Sequence, residues 1–151
     1  MASLARPRLT KRRIFVCSAA LAAVALICAA AAQQSFKIRL RPVPIEASTA
    51  ANTTGAGEAT ASLAGTRLTL RGNFAGLKGA ATIAQLHQGP AMGVRGPAIA
   101  DVMVPAAKSG AFTAEVALTA AQAEGLKQGQ IYLQIHSETA PDGNLWGWLV
   151  P

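Results

Sequence analysis

The chain has 151 residues, room for one domain and a targeting segment. Its formal charge is +7, but Arg6, Arg8, Lys11, Arg12 and Arg13 crowd the first thirteen residues with no acid among them, and from Gln33 onward nine Lys/Arg face seven Asp/Glu, a net of +2. No basic stripe follows Arg41, which argues against a nucleic-acid partner; both cysteines, Cys17 and Cys28, sit in the leading apolar run, so the chain beyond it has no disulfide, thiolate ligand or cysteine nucleophile.

The first element is an export segment, residues 1–32. From Ile14 to Ala32 there is no charge. Basic residues precede this run and small ones end it, the pattern of a secretory signal. Ala30-Ala31-Ala32 sets the expected cleavage between Ala32 and Gln33, because the peptidase pocket accepts only small side chains. The same nineteen residues also match a bilayer span, so a retained membrane anchor over 14–32 stays open. The Ala-rich run favours cleavage, and Lys37, Arg39 and Arg41 just beyond it disfavour an anchor with the domain outside. Arg12-Arg13-Ile14-Phe15-Val16 matches part of the twin-arginine export pattern, with Lys11 where Ser or Thr is usual. Ile27 before Cys28 argues against lipidation. The expected location is extracytoplasmic, periplasmic or secreted, with membrane contact only through this segment.

Residues 33–56 form a strand and a linker. Phe36 to Leu40 alternates apolar and basic, as a half-buried strand does. Pro42 and Pro44 stop it, and Ser48 to Gly57 is turn-rich. Residues 57–151 then form a β-domain of short strands about ten residues apart. Ala59, Ala61 and Leu63 alternate with Thr60 and Ser62; Leu68, Leu70 and Phe74 alternate with polar residues. Thr82–His87, Ile99–Val104 and Phe112–Leu118 are further runs. Thr119 and Gln122 have capping-box spacing, which predicts a helical turn through Leu126 that Gly129 ends. Ile131, Leu133 and Ile135 alternate with Tyr132, Gln134 and His136, and Leu145–Val150 closes the chain. The pattern predicts an all-β fold, an antiparallel Greek-key β-sandwich with one short helix, preceded by the N-terminal hydrophobic helix; a small closed barrel is the alternative.

Gly76-Leu77, Leu86-His87-Gln88-Gly89, Gly96-Pro97, Leu118-Thr119-Ala120-Ala121-Gln122, Tyr132-Leu133-Gln134-Ile135-His136 and Gly147-Trp148-Leu149 follow one another with the order and spacing of a known pattern. On these residues the chain resembles the CHRD domain, the module named after chordin and found in many bacterial exported proteins. The resemblance covers about Gly57 to Val150, and Pro141-Asp142-Gly143 matches the family's Pro-x-Gly turn. Gln85 stands where relatives often carry a second histidine. Asn144 and Trp146 replace a usual acid and arginine. In chordin, repeats of this domain belong to an extracellular protein that binds growth factors, which implies, by analogy, a binding or scaffold role. The expectation is a non-enzymatic module with an unknown protein or glycan ligand and no cofactor.

His87 and His136 are the two histidines of the chain, and Gln85-Leu86-His87 and Gln134-Ile135-His136 echo one another. The leading expectation is that each imidazole ties a strand end to a loop by hydrogen bonds. The alternative is a zinc or copper site at His87 and His136, with Glu138, Asp101 and Asp142 as acids of unknown position; imidazoles more than about 8 Å apart cannot share one zinc. Copper-zinc superoxide dismutase, also a Greek-key sandwich, needs many more histidines than two. Ser137 adjoins His136, but strand neighbours point to opposite faces, and no G-x-S-x-G occurs. Trp146 and Trp148 share a strand face opposite Leu145 and Leu149. One reading is core packing or a lid over the sheet edge; if instead the leucines face the core, the tryptophans form an outer platform for a partner or a glycan, to which Tyr132 can belong.

Overall fold

The computed structural model describes residues 33–44, 47 and 50–151. The export segment 1–32, with its expected apolar helix and the cleavage point before Gln33, lies outside the described residues.

Eight antiparallel strands and one helix follow in the order β1 (Gln34–Pro42), β2 (Ala56–Ala64), β3 (Arg67–Ala75), β4 (Ala81–Gln88), β5 (Ala98–Val102), β6 (Gly110–Ala117), α1 (Ala120–Lys127), β7 (Ile131–Ser137) and β8 (Ala140–Trp148). Hydrogen bonding links them in the order β5-β4-β7-β8-β1-β2-β3-β6. β4, β5 and β6 follow one another in sequence, and β7 returns to lie beside β4. This is the Greek-key return expected from many short strands. The sheet is nearly closed: β5 and β6 form its two ends, and the core lies between the β1-β2-β3-β6 layer and the β5-β4-β7-β8 layer. Sandwich and barrel thus meet in one object, a two-layer fold whose layers share a strand.

That strand is β1. Gln34 to Leu40 pair with β2, while Arg41 and Pro42 pair with Trp146 and Leu145 of β8. The β8 backbone crosses β1 so closely that a Cβ on Gly147 would stand 2.6 Å from the Arg39 carbonyl oxygen. Glycine is needed there for the approach.

Period-2 alternation does the packing. Phe36, Ile38 and Leu40 face inward from β1, and Leu133, Ile135 and Leu145 meet them from the other layer, all buried. Cutting one such leucine to alanine costs about 2–5 kcal/mol. The helix sits between β6 and β7 and buries Ala123 and Leu126. Its capping box is complete: Thr119 Oγ1 accepts from the Gln122 amide at 3.2 Å and Gln122 Oε1 from the Thr119 amide at 2.8 Å. Gly129 follows the helix with φ +72°.

One local expectation is corrected. Pro141-Asp142-Gly143 is not the reversal; the chain turns at Glu138 and Thr139, and these three residues lie inside β8. Ser137 pairs with Ala140 and Ile135 with Leu145, so His136 alone faces the four residues 141–144. The excess bulges outward. Pro141 has no N–H to give the ladder, and Gly143 takes φ +130°, a conformation side chains disfavour.

Candidate functional site

The site is the outer face of β4, β7 and β8. In each strand every second residue is committed to the core: Leu86, Leu133 and Leu145 are fully buried. Their neighbours must therefore point out. The register arranges them in rows. His87 lies opposite Tyr132, and Tyr132 opposite Trp148. Gln85 lies opposite Gln134, and Gln134 opposite Trp146. Ile83 lies opposite His136. The Gln-aliphatic-His echo gains a meaning from this. Antiparallel pairing joins Gln85 to Gln134, and the two histidines run off in opposite directions from that pair. Their side chains still come within 6.4 Å, centroid to centroid, with planes 34° apart.

The aromatic residues form one connected cluster. His87 stacks on Tyr132 at 4.9 Å and 11°. Trp148 lies 4.6 Å from Tyr132, Trp146 lies 5.6 Å from it edge-on, and the two tryptophans are 6.0 Å apart. Such stacks and edge-to-face pairs add about 0.5–1.5 kcal/mol each beyond burial. The tryptophans are half-buried on the outer face, as follows once Leu145 and Leu149 take the core. Tyr132 is only 1% exposed, so it is the floor of the cluster, not part of its surface.

Arg95, in the loop between β4 and β5, completes the face. Its guanidinium carbon stands 5.7 Å from the Trp146 ring centroid, a cation–π geometry. Its neighbour Gly96 is clamped: the Gly96 amide donates to the Tyr132 hydroxyl at 3.2 Å, and the Gly96 carbonyl accepts from that hydroxyl at 3.3 Å and from His87 Nδ1 at 3.0 Å. A Cβ at position 96 would meet the Gln88 carbonyl oxygen at 1.8 Å, so only glycine fits this loop. Beside the face, Arg95 also lines a recess of about 250 Å³ with Val43, Pro141 and Asp142. A larger groove of about 760 Å³ lies on the other layer, among Lys37, Arg39, Arg71 and Glu58, away from the aromatic cluster.

Both histidines are anchored by Nδ1. His136 Nδ1 lies 2.7 Å from the Pro141 carbonyl oxygen, as His87 Nδ1 lies near that of Gly96. A carbonyl only accepts, so each Nδ1 carries a proton, and in the neutral ring Nε2 then presents a lone pair. His87 thus ties its strand to the β4–β5 loop, as expected, while His136 ties β7 to the bulge of β8 rather than to a loop, each through one nitrogen. Among the described residues His87 Nε2 is buried without a hydrogen-bond partner. Burial pushes the His87 imidazole below its ordinary pKa; the hydrogen bond to Gly96 opposes this, and the charges of His136 and Arg95 add to it.

Polar side chains brace the bulge. Gln134 Nε2 donates to the Asp142 carbonyl at 2.9 Å and lies 3.5 Å from His136 Nε2. Asn144, fully buried, donates to the Thr54 carbonyl at 2.6 Å and accepts from Ser137 Oγ at 3.2 Å. Ser137 is therefore turned into the core, away from His136. Of the expected acids, Asp101 accepts from Gln85 Nε2 at 2.8 Å, and Glu138 accepts from the Ala80 amide. Among the described residues no group of three or more His, Cys, Asp or Glu could hold a metal ion. Arg95, a lone charge in a loop, carried no sequence signal as a site residue; Asn144 stood out only as the replacement of a usual acid.

The family model described as the CHRD domain matches residues 38–149. No curated protein and no solved structure matches the chain.

Proposed function

The chain belongs to the CHRD-domain family, and from that premise we propose that it is an extracytoplasmic, non-enzymatic binding module that takes a protein ligand on the outer face of β4, β7 and β8. One observation carries the reading. Trp146 and Trp148 stand half-exposed on a rigid Tyr132 floor, with Arg95 over Trp146. Trp, Tyr and Arg are the residues in which binding energy concentrates. Here they are held in place before any partner arrives, which lowers the ordering cost of association. The recess beside Arg95, about 250 Å³, is of a size to take one side chain of the partner. The basic start and uncharged run over 14–32 support delivery outside the cytoplasm. The inward turn of Ser137, whose hydroxyl goes to Asn144, supports a role without nucleophilic chemistry.

The test is a pull-down from the extracytoplasmic fraction of the native cell, run in parallel with a Trp146→Ala/Trp148→Ala variant. A protein retained by the parent and lost with the variant supports the reading. Equal retention removes the site from it. A glycan that quenches tryptophan emission in the parent, with no protein retained, replaces the protein ligand by a carbohydrate. A hydrolase or oxidase activity abolished by His87→Ala overturns the non-enzymatic role.

A further inference from the structure

We propose that His87 and His136 together form a two-imidazole binding site for copper(I). The proposal goes beyond the protein-binding reading and does not depend on it, since neither tryptophan is a ligand.

The case starts from proton positions. Each Nδ1 donates to a backbone carbonyl, Gly96 at 3.0 Å and Pro141 at 2.7 Å. This is the outer-shell arrangement that fixes the tautomer and orientation of metal-ligating histidines and raises the basicity of the other nitrogen. The two carbonyls belong to unusual backbone: Gly96 sits where no Cβ fits, and Pro141 opens the bulge opposite His136.

The second observation is the orphaned atom. His87 Nε2 is buried with no hydrogen-bond partner among the described residues. A buried polar nitrogen without a partner is costly, and each one in a native structure calls for an explanation. Among the described residues His136 Nε2 has only the Gln134 amide at 3.5 Å, the long limit of a hydrogen bond. Both lone pairs are thus weakly used.

The third is distance. An ion about 2 Å from each Nε2, in line between the rings, sets the imidazole centroids roughly 6 Å apart. The observed separation is 6.4 Å.

The donor set then selects the ion. Zinc wants three or four protein ligands, and calcium and magnesium want oxygen. No third His, Cys, Asp or Glu joins the pair among the described residues. Copper(I), with a filled d shell, is content with two donors in line. Charge points the same way. Imidazole ligands cancel none of the ion's charge, both side chains are partly buried, and the cationic Arg95 stands over the neighbouring Trp146. The cost of burying charge grows with its square, so a monovalent ion is favoured over a divalent one.

The experiment uses the full chain in detergent with Cys17→Ser and Cys28→Ser, which removes the two thiols that would compete. Copper(I) is titrated under anaerobic reducing conditions against a chromophoric chelator. One equivalent is expected to bind, at least 100-fold more weakly after His87→Ala or His136→Ala and unchanged after Trp146→Ala/Trp148→Ala. Uptake that persists without both histidines overturns the proposal, as does zinc binding more tightly than copper(I). Side-chain nitrogen-15 spectra of the protein with both histidines intact avoid any folding defect. Copper(I) should shift both Nε2 signals and leave both Nδ1 protons in place; a shift in one ring or in neither sinks the shared site. Loss of a protein partner in the tryptophan variant with copper uptake intact separates the failure of one reading from that of the other.

Discussion

The His87 imidazole lies flat on the Tyr132 ring, centroids 4.9 Å apart and planes 11° from parallel. Both side chains then reach the same glycine, Gly96, one through Nδ1 and the other through its hydroxyl. The stack therefore couples the sheet to the loop that carries Arg95.

Removing the hydroxyl tests that coupling. Tyr132→Phe keeps the ring contacts and loses both bonds to Gly96. The expected cost is about 1 kcal/mol, a melting temperature lower by roughly 4 °C for a domain of this size. Amide exchange at Gly96 should quicken more than exchange in β7. A uniform change across the domain would mean that the loop is held by something else.

The His87 environment predicts a pH dependence. Its folded pKa lies below the ordinary 6.5, with desolvation as the largest cause. The unfolded chain regains a value near 6.5. As pH falls through about 6.5, the unfolded state takes up the proton first, so stability drops and then levels off below the folded pKa. Urea midpoints of the parent minus those of His87→Gln, from pH 8 to pH 5, should decline in that window. A flat difference would show that the ring is not desolvated in solution.

Asn144 is buried with both ends of its amide in use. Asn144→Asp removes the donor to Thr54 and buries a charge. The expected loss is about 2–4 kcal/mol at pH 7, read as a shift in denaturant midpoint with an unchanged slope. A loss below about 0.5 kcal/mol would mean that water reaches the site.

The tryptophans should separate binding from folding. Trp146→Ala and Trp148→Ala each remove a half-buried ring, for about 1–2 kcal/mol of stability. Each should weaken the protein ligand at least tenfold. Binding titrations beside melting curves check this; affinity that falls only in step with stability would deny them a direct contact.

Much of this face was legible before any coordinates. Period-2 alternation put Trp146 and Trp148 on one face opposite Leu145 and Leu149, and the burial of the leucines made it the outer one; the same rule turned Ser137 away from His136. Alternation reports a face, however, and not what lies over it. Tyr132, which alternation left open, and Gln134 are both buried, because neighbouring strands place Trp148, Trp146 and His87 beside them. The Pro141-Asp142-Gly143 segment misled for a related reason. Proline and glycine mark a departure from the regular ladder, and a bulge uses them as readily as a turn does.

The sequence by itself determined the all-β class, the strands and their inward faces, and the capped helix, because each depends on residues a few positions apart. Strand order, register and the shared strand β1 were decided only by the tertiary structure. These depend on pairings between residues far apart in the chain, which no local period encodes. The Gln85–Gln134 register, the approach of His87 to His136, and the delivery of Arg95 over Trp146 all follow from that long-range pairing. The candidate site is thus made of legible residues in a non-local arrangement.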